Sequence, residues 1–328
     1  MKSTIKFLAV LLFGINAFII TGCEDYKEEP ASIAGIAVAN NGFSVLEDAA
    51  VRGGVAVTLS NKNAGDPSGA FTVFAPNDAA FAKLGFKTGD DLGALQPAFL
   101  TSTLLYHVSN GNTAASSFTN NVGIASLQGT SNRIILKGTD KYINGSKIIA
   151  TDISAQNGTV HVIDKVMLST GVDIVNSAIA LTQSKVFTGP ELTYLVEALI
   201  YADLVNALVK TANSPSFTVF APTDNAFRAL GVALGVPFNV PADIRMLPKD
   251  VVTAVLLNHV VAGGGKFNPE LGTGSLSPLG GTVLTIGAFE NGVITVKGKS
   301  NTSSAKMVIP DVLTTNGVVH IIDTVLLP

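Results

Sequence analysis

The chain has 328 residues, 47% hydrophobic and only 14% charged, with a formal net charge of -3 and a single Cys. The lone Cys excludes an intrachain disulfide framework and multi-Cys zinc sites, and no Lys/Arg run exists to neutralise a row of phosphates, so nucleic acid is excluded as a partner. High apolar content excludes disorder for most of the chain, and the length predicts two domains, each able to bury its own core.

Lys2 and Lys6 stand ahead of a mostly apolar run over residues 7–20. The run is too short to cross a bilayer, which takes about 20 residues, and has the length of a signal-peptide core. It ends in Ile20-Thr21-Gly22-Cys23, which resembles a bacterial lipobox. On this reading residues 1–22 are a lipoprotein signal peptide and Cys23 is the lipid attachment, making the membrane a partner. Residues 23–30 form a polar tether. Within it Lys27-Glu28-Glu29 is either a solvated spacer or an acidic tag resembling those that export Bacteroidetes lipoproteins. The expected location is the outer membrane, facing the cell surface with the tag and the periplasm without it.

The rest of the chain is one unit written twice, residues 31–169 and 170–328. Phe71-Thr72-Val73-Phe74-Ala75-Pro76 recurs as Phe217-Thr218-Val219-Phe220-Ala221-Pro222, and Leu104-Leu105-Tyr106-His107-Val108 as Leu256-Leu257-Asn258-His259-Val260. Asn157-Gly158-Thr159-Val160-His161 recurs as Asn316-Gly317-Val318-Val319-His320, with Asp164 and Asp323 closing each copy. The offset grows along the chain, so the second copy is longer, and one insertion is placed near residues 238–248. Only Ser169-Thr170-Gly171 remains as a linker, so the domains are expected to abut.

In each copy helices come first. Ile33 and Ile174 begin short apolar helices, and Leu192, Leu195, Val196, Leu199, Leu204 and Leu208 trace an amphipathic helix. Residues 71–74 form a buried strand stopped by Pro76, with Asn77 or Thr223 capping the next helix. Pro248 precedes a helix over 249–260. Strands follow at 133–137, 147–153 and 160–168, and at 282–286, 293–297, 306–313 and 318–327. Asn157-Gly158 and Asn316-Gly317 mark turns before each last strand. The fold class is α+β, a mixed sheet with helices packed on it in each domain.

The landmarks Phe-Thr-Val-Phe-Ala-Pro-x-Asp-x-Ala-Phe, Leu-Leu-x-His-Val and Asn-Gly-x-Val-His-x-Ile-Asp, in order and twice, resemble the fasciclin (beta-ig-h3) domain. The resemblance implies two wedge-shaped sheets of about seven strands flanked by helices. It implies adhesion to cells or extracellular matrix, by an extracellular protein or matrix ligand as partner. In animal members a Tyr-His pair and an Asp-Ile segment are implicated in integrin recognition. Their matches here are Tyr106 and His107, then Asp152 and Ile153, with Asp311 in the second copy; Asn258 replaces the Tyr there. The alternative, favoured for a bacterial protein because an integrin need not be the partner, is that Tyr106, His107 and Asp152 hold the fold together.

Catalysis has little to stand on. His161 and His320 alternate with Val and Ile on a strand, and hydrogen bonding to nearby backbone is the expected role. Asp164 and Asp323 lie three residues on and so face the opposite side. No Gly-x-Ser-x-Gly elbow occurs, and Ser303-Ser304-Ala305-Lys306 lacks companion motifs. No cofactor is expected. The reading is a surface lipoprotein acting by protein contact, not an enzyme. The competing readings are a glycan-binding lipoprotein, which the absence of Trp disfavours, and a periplasmic scaffold.

Overall fold

The computed structural model describes residues 30–182, 191–211, 215–290 and 292–328. Cys23 and the tether up to Glu29 lie outside the described residues.

In the first domain α1 (Ile33–Ala39), α2 (Ser44–Arg52) and α3 (Ala56–Ser60) precede β1 (Phe71–Pro76). Then come α4 (Asp78–Ala82), α5 (Pro97–Tyr106), β2 (Val108–Asn110), β3 (Gly123–Ala125), β4 (Ser131–Lys137), β5 (Asp140–Ile143), β6 (Ser146–Ala155) and β7 (Gly158–Ile163). A short strand, β8 (Leu168–Ser169), leads out. The second domain repeats the order with α6 (Ile174–Thr182), α7 (Thr193–Tyr201), α8 (Val205–Leu208), β9 (Phe217–Pro222), α9 (Asp224–Ala233) and α10 (Lys249–Leu257). It ends with β10 (Val260–Ala262), β11 (Gly274–Leu276), β12 (Leu284–Ile286), β13 (Thr295–Lys297), β14 (Ala305–Thr314) and β15 (Gly317–Ile322).

Each domain is a mixed sheet. The strand order is β2-β1-β7-β6-β5-β4-β3 in the first and β10-β9-β15-β14-β13-β12-β11 in the second. The parallel pairs β1–β7 and β9–β15 form the centre. Every residue of β1 is buried, as a strand covered on both faces requires. Its side chains alternate: Phe71, Val73 and Ala75 pack under the helices, while Phe74 enters a second cluster with Tyr106, Ile143 and Ile163. Gly158 permits the close parallel pairing, since a Cβ there would stand 2.0 Å from the Phe71 carbonyl oxygen. Ser32, Asn77 and Thr223 cap α1, α4 and α9 through their side chains.

Several boundaries differ from the sequence expectation. The helix traced from Leu192 to Leu208 is two helices, because Asp203 turns the chain at φ +57° between α7 and α8. The helix after Pro248 stops at Leu257, where the chain must free Val260 to pair with Val219. The strand over 160–168 ends at Ile163, and that over 318–327 ends at Ile322. The insertion lies before Phe238, in α9, which has 10 residues where α4 has 5. The linker is not free: Leu168 and Ser169 pair in parallel with Val312 and Leu313 of the second sheet.

The domains meet over a mixed surface. Ile135 and Tyr142 of the first form one buried cluster with Phe267 and Val318 of the second. Arg133 pairs with Glu270 at 2.7 Å and lies over the Phe267 ring, and Lys137 lies over Phe289.

Candidate functional site

In each domain the long strand before the last slips twice against its neighbour, β6 against β7 and β14 against β15. The slips place Asp152 and Asp311 at φ +59° and +66°. This left-handed region is strained for most side chains and best tolerated by Asn and Asp. The landmark histidines hold it. The Asp152 amide donates to His161 Nδ1 at 3.2 Å, and His161 Nε2 donates to the Thr113 carbonyl at 2.9 Å. Asp311, His320 and Lys266 repeat the arrangement at the same two distances. A ring nitrogen that accepts from an amide carries no proton, so both imidazoles are neutral Nε2–H tautomers. Burial lowers both pKa values and keeps them neutral. The rings stack on Phe74 and Phe220.

The carboxylates are anchored alike. Asp152 Oδ1 accepts from the Ala115 amide at 2.8 Å, which holds its carboxyl below the usual carboxylate range. Asp311 Oδ1 accepts from the Asn268 amide at 2.6 Å. Their surroundings differ. Asp311 is buried at the domain interface, where its Oδ2 takes Lys165 Nζ at 2.7 Å and Asn268 Nδ2 at 3.2 Å. Lys165 comes from the first domain and also donates to the Gly292 carbonyl. Asp152 is exposed and lacks such a partner among the described residues; Lys141 contributes only a weak field.

The equivalences explain why the contact occurs once. Thr113 and Lys266 take the same hydrogen bond from the histidines, so Ala114, Ala115 and Ser117 stand where Phe267, Asn268 and Glu270 do. Lys165 follows Asp164, whereas Thr324 follows Asp323. The first domain has the bulged aspartate without the aromatic and acidic surround, and the second has no lysine to offer onward.

The remaining candidates are interior. Tyr106 and His107 are buried, as the fold-holding reading of this pair expects. Phe74, Ile134, Ile143 and Ile163 from the strands pack around Tyr106. The Tyr106 hydroxyl accepts from Asn144 Nδ2 at 2.5 Å, and its carbonyl accepts from Asn132 Nδ2 at 3.0 Å. His107 Nδ1 donates to the Thr103 carbonyl at 2.7 Å and Nε2 accepts from the Met167 amide at 2.9 Å. His259 does the same with Val255 and Leu326. Burial pushes both pKa values down to about 4. Asn258 occupies the Tyr106 position, fully buried, with no partner for its Oδ1 among the described residues. Ile153 is half-buried against the helix-side core. Asp164 and Asp323 accept from the Lys147 and Lys306 amides, tying strand ends together, and neither bonds its neighbouring histidine.

Both ring nitrogens of all four histidines are thus engaged by main-chain groups, leaving no imidazole free as a base or ligand. Among the described residues no group of three or more His, Cys, Asp or Glu is placed to hold a metal. Sequence reasoning overlooked Lys165, Asn132 and Asn144. It took Asn157 and Asn316 for turn residues only. Their side chains in fact clamp the helical layer to the sheet, accepting from Ile33 or Ile174 and donating to Leu59 or Leu208. The available signal for Lys165 was its loss in the second copy.

The fasciclin domain profile matches residues 41–169 and 190–328. The chain is 28% identical over 265 residues to transforming growth factor-beta-induced protein ig-h3 of Sus scrofa, covering 79% of this chain and 35% of that protein. The chain therefore spans about a third of that relative's length. Protein sll1483 of Synechocystis is 36% identical over 151 residues, covering 45% of this chain and 74% of the relative. Immunogenic protein MPB70 of Mycobacterium bovis is 33% identical over 159 residues, covering 45% and 80%. Among solved structures, a FAS1 domain pair from the insect cell adhesion molecule Fasciclin I aligns over 90% of this chain and 96% of its own at 16% identity, with a TM-score of 0.39.

Proposed function

The chain belongs to the fasciclin domain family, and on that premise we propose that it is a lipid-anchored protein of the cell surface that works by protein contact and adhesion, without catalysis. The observation that carries this is the paired aspartates. Asp311 grips a lysine presented by a neighbouring domain, and Asp152 presents the same strained, amide-anchored carboxylate to solvent. A cationic side chain on an extracellular partner is the chemistry that fits it. Lys165, Arg133 and the β8 pairing hold the two domains against each other, so a partner engaging both gains from high effective concentration. Anchoring rests on the lipobox ending at Cys23. Among the described residues no helix is long and apolar enough to cross a membrane.

The test compares protease treatment of intact cells carrying the wild type and Cys23→Ala. Shaving of the wild type with a periplasmic control intact supports surface display; protection until the outer membrane is broken refutes it. With display established, Asp152→Asn is expected to reduce adhesion while leaving the fold unchanged.

A further inference from the structure

The helical layer of the first domain covers an apolar cavity of about 180 Å³. Phe43, Leu59, Val73 and Val160, all buried, form its walls. It reaches the surface beside Val38 and Val51, which are 62% and 65% exposed, and Val57 close by is 74% exposed.

The second domain carries larger side chains at three of the lining positions and smaller ones, Ser177 and Leu192, where Ile36 and Phe43 stand. Asn157 and Asn316 clamp matching groups, and Asp78 and Asp224 hold the starts of α2 and α7 in the same way. These contacts set the correspondence: Ala34, Ala50 and Ala56 line the cavity where the second domain has Val175, Leu199 and Val205. The larger residues carry two, three and two more carbons, and Val175 and Leu199 are buried in the second core. A cavity with an apolar wall stays dry, and one of roughly 150 Å³ lined by such residues binds benzene.

We propose that this cavity receives the end of a membrane-lipid acyl chain. The exposed valines give the mouth an apolar rim suited to a hydrocarbon entering from a bilayer. Glu47 at that rim opposes an anionic head group, leaving the tail as the part that enters. Pro30 lies three residues before Ile33, and a tether from Cys23 extends at most about 3.3–3.6 Å per residue, which keeps the mouth near the membrane. The proposal rests on the anchor reading for the source of the lipid and for the nearness of the membrane.

The experiment uses the full chain with Cys23→Ala, so that no covalent lipid competes, titrated with 1-decanol by calorimetry. One saturable site is expected. Ala50→Leu and Ala34→Val, which import the second domain's residues, are expected to weaken binding at least tenfold with equal or higher melting temperature. Absence of saturable binding in the parent overturns the proposal, as does undiminished binding by both folded variants. Because acylation plays no part in this titration, failure of the cavity and failure of the anchor are read separately.

Discussion

Replacing Lys165 by Met tests the buried contact between the domains. The side chains of Lys165 and Asp311 are 11% and 6% exposed, and their charged atoms are 2.7 Å apart. At an effective dielectric of about 20 two unit charges at that distance attract by roughly 6 kcal/mol, most of which offsets their desolvation. The informative quantity is therefore the cost of stranding one charge, roughly 3–5 kcal/mol. Asp311 keeps the Asn268 amide and side-chain donors, so Lys165→Met is expected at the low end, about 3 kcal/mol. Adding Asp311→Asn removes the stranded charge while Asn tolerates the positive φ, and is expected to recover at least about 1 kcal/mol. Urea unfolding followed by circular dichroism suits a chain without Trp. A loss below about 1 kcal/mol, or one that vanishes in high salt, would identify an ordinary surface pair and refute the argument.

Four further outcomes follow from the same contacts. Asp152→Asn, at the exposed equivalent of Asp311, is expected to change stability by no more than about 0.5 kcal/mol in the same urea assay. Tyr106→Phe removes one of the two oxygen acceptors of Asn144 Nδ2, the other being Asn132 Oδ1, and a loss of about 1 kcal/mol is expected; no change in midpoint would show the hydroxyl to be idle. His107 and His259 titrate near 4 when folded and near 6.5 when unfolded, so the unfolded chain takes up protons first as pH falls. Stability is then fully present above about 6.5 and declines toward pH 4, by on the order of 3 kcal/mol per histidine; a flat urea midpoint from pH 7 to 5 would contradict this. Gly158→Ala drives a Cβ into the Phe71 carbonyl, and a loss exceeding about 3 kcal/mol, or failure of the first domain to fold, is expected from thermal melts.

The duplication, the central strands and the helix caps were legible because each rests on local chemistry. Phe71–Pro76 is apolar throughout because both its faces are covered, and Asn77 or Thr223 caps a helix whatever packs on it. The aspartates were legible only as a motif. That Asp152 stands in solvent while Asp311 is buried depends on Lys165, more than 140 residues away from Asp311, and no local pattern carries such a pairing. The partners of Tyr106 and His107 were illegible for a related reason. The pair's hydrogen bonds come from Asn132 on β4, from Asn144 in the turn between β5 and β6, and from the Met167 amide just before β8, all distant in sequence.

By itself the sequence determined that two α+β domains of one family lie in tandem with almost no linker between them, since apolar period, capping and turn chemistry act within a few residues. Only the tertiary structure decided which aspartate is exposed, that β8 crosses into the second sheet, and that Ala34, Ala50 and Ala56 surround a space. Alanine, valine and leucine look alike in an apolar pattern, whereas packing distinguishes them by volume, which only the assembled neighbours define.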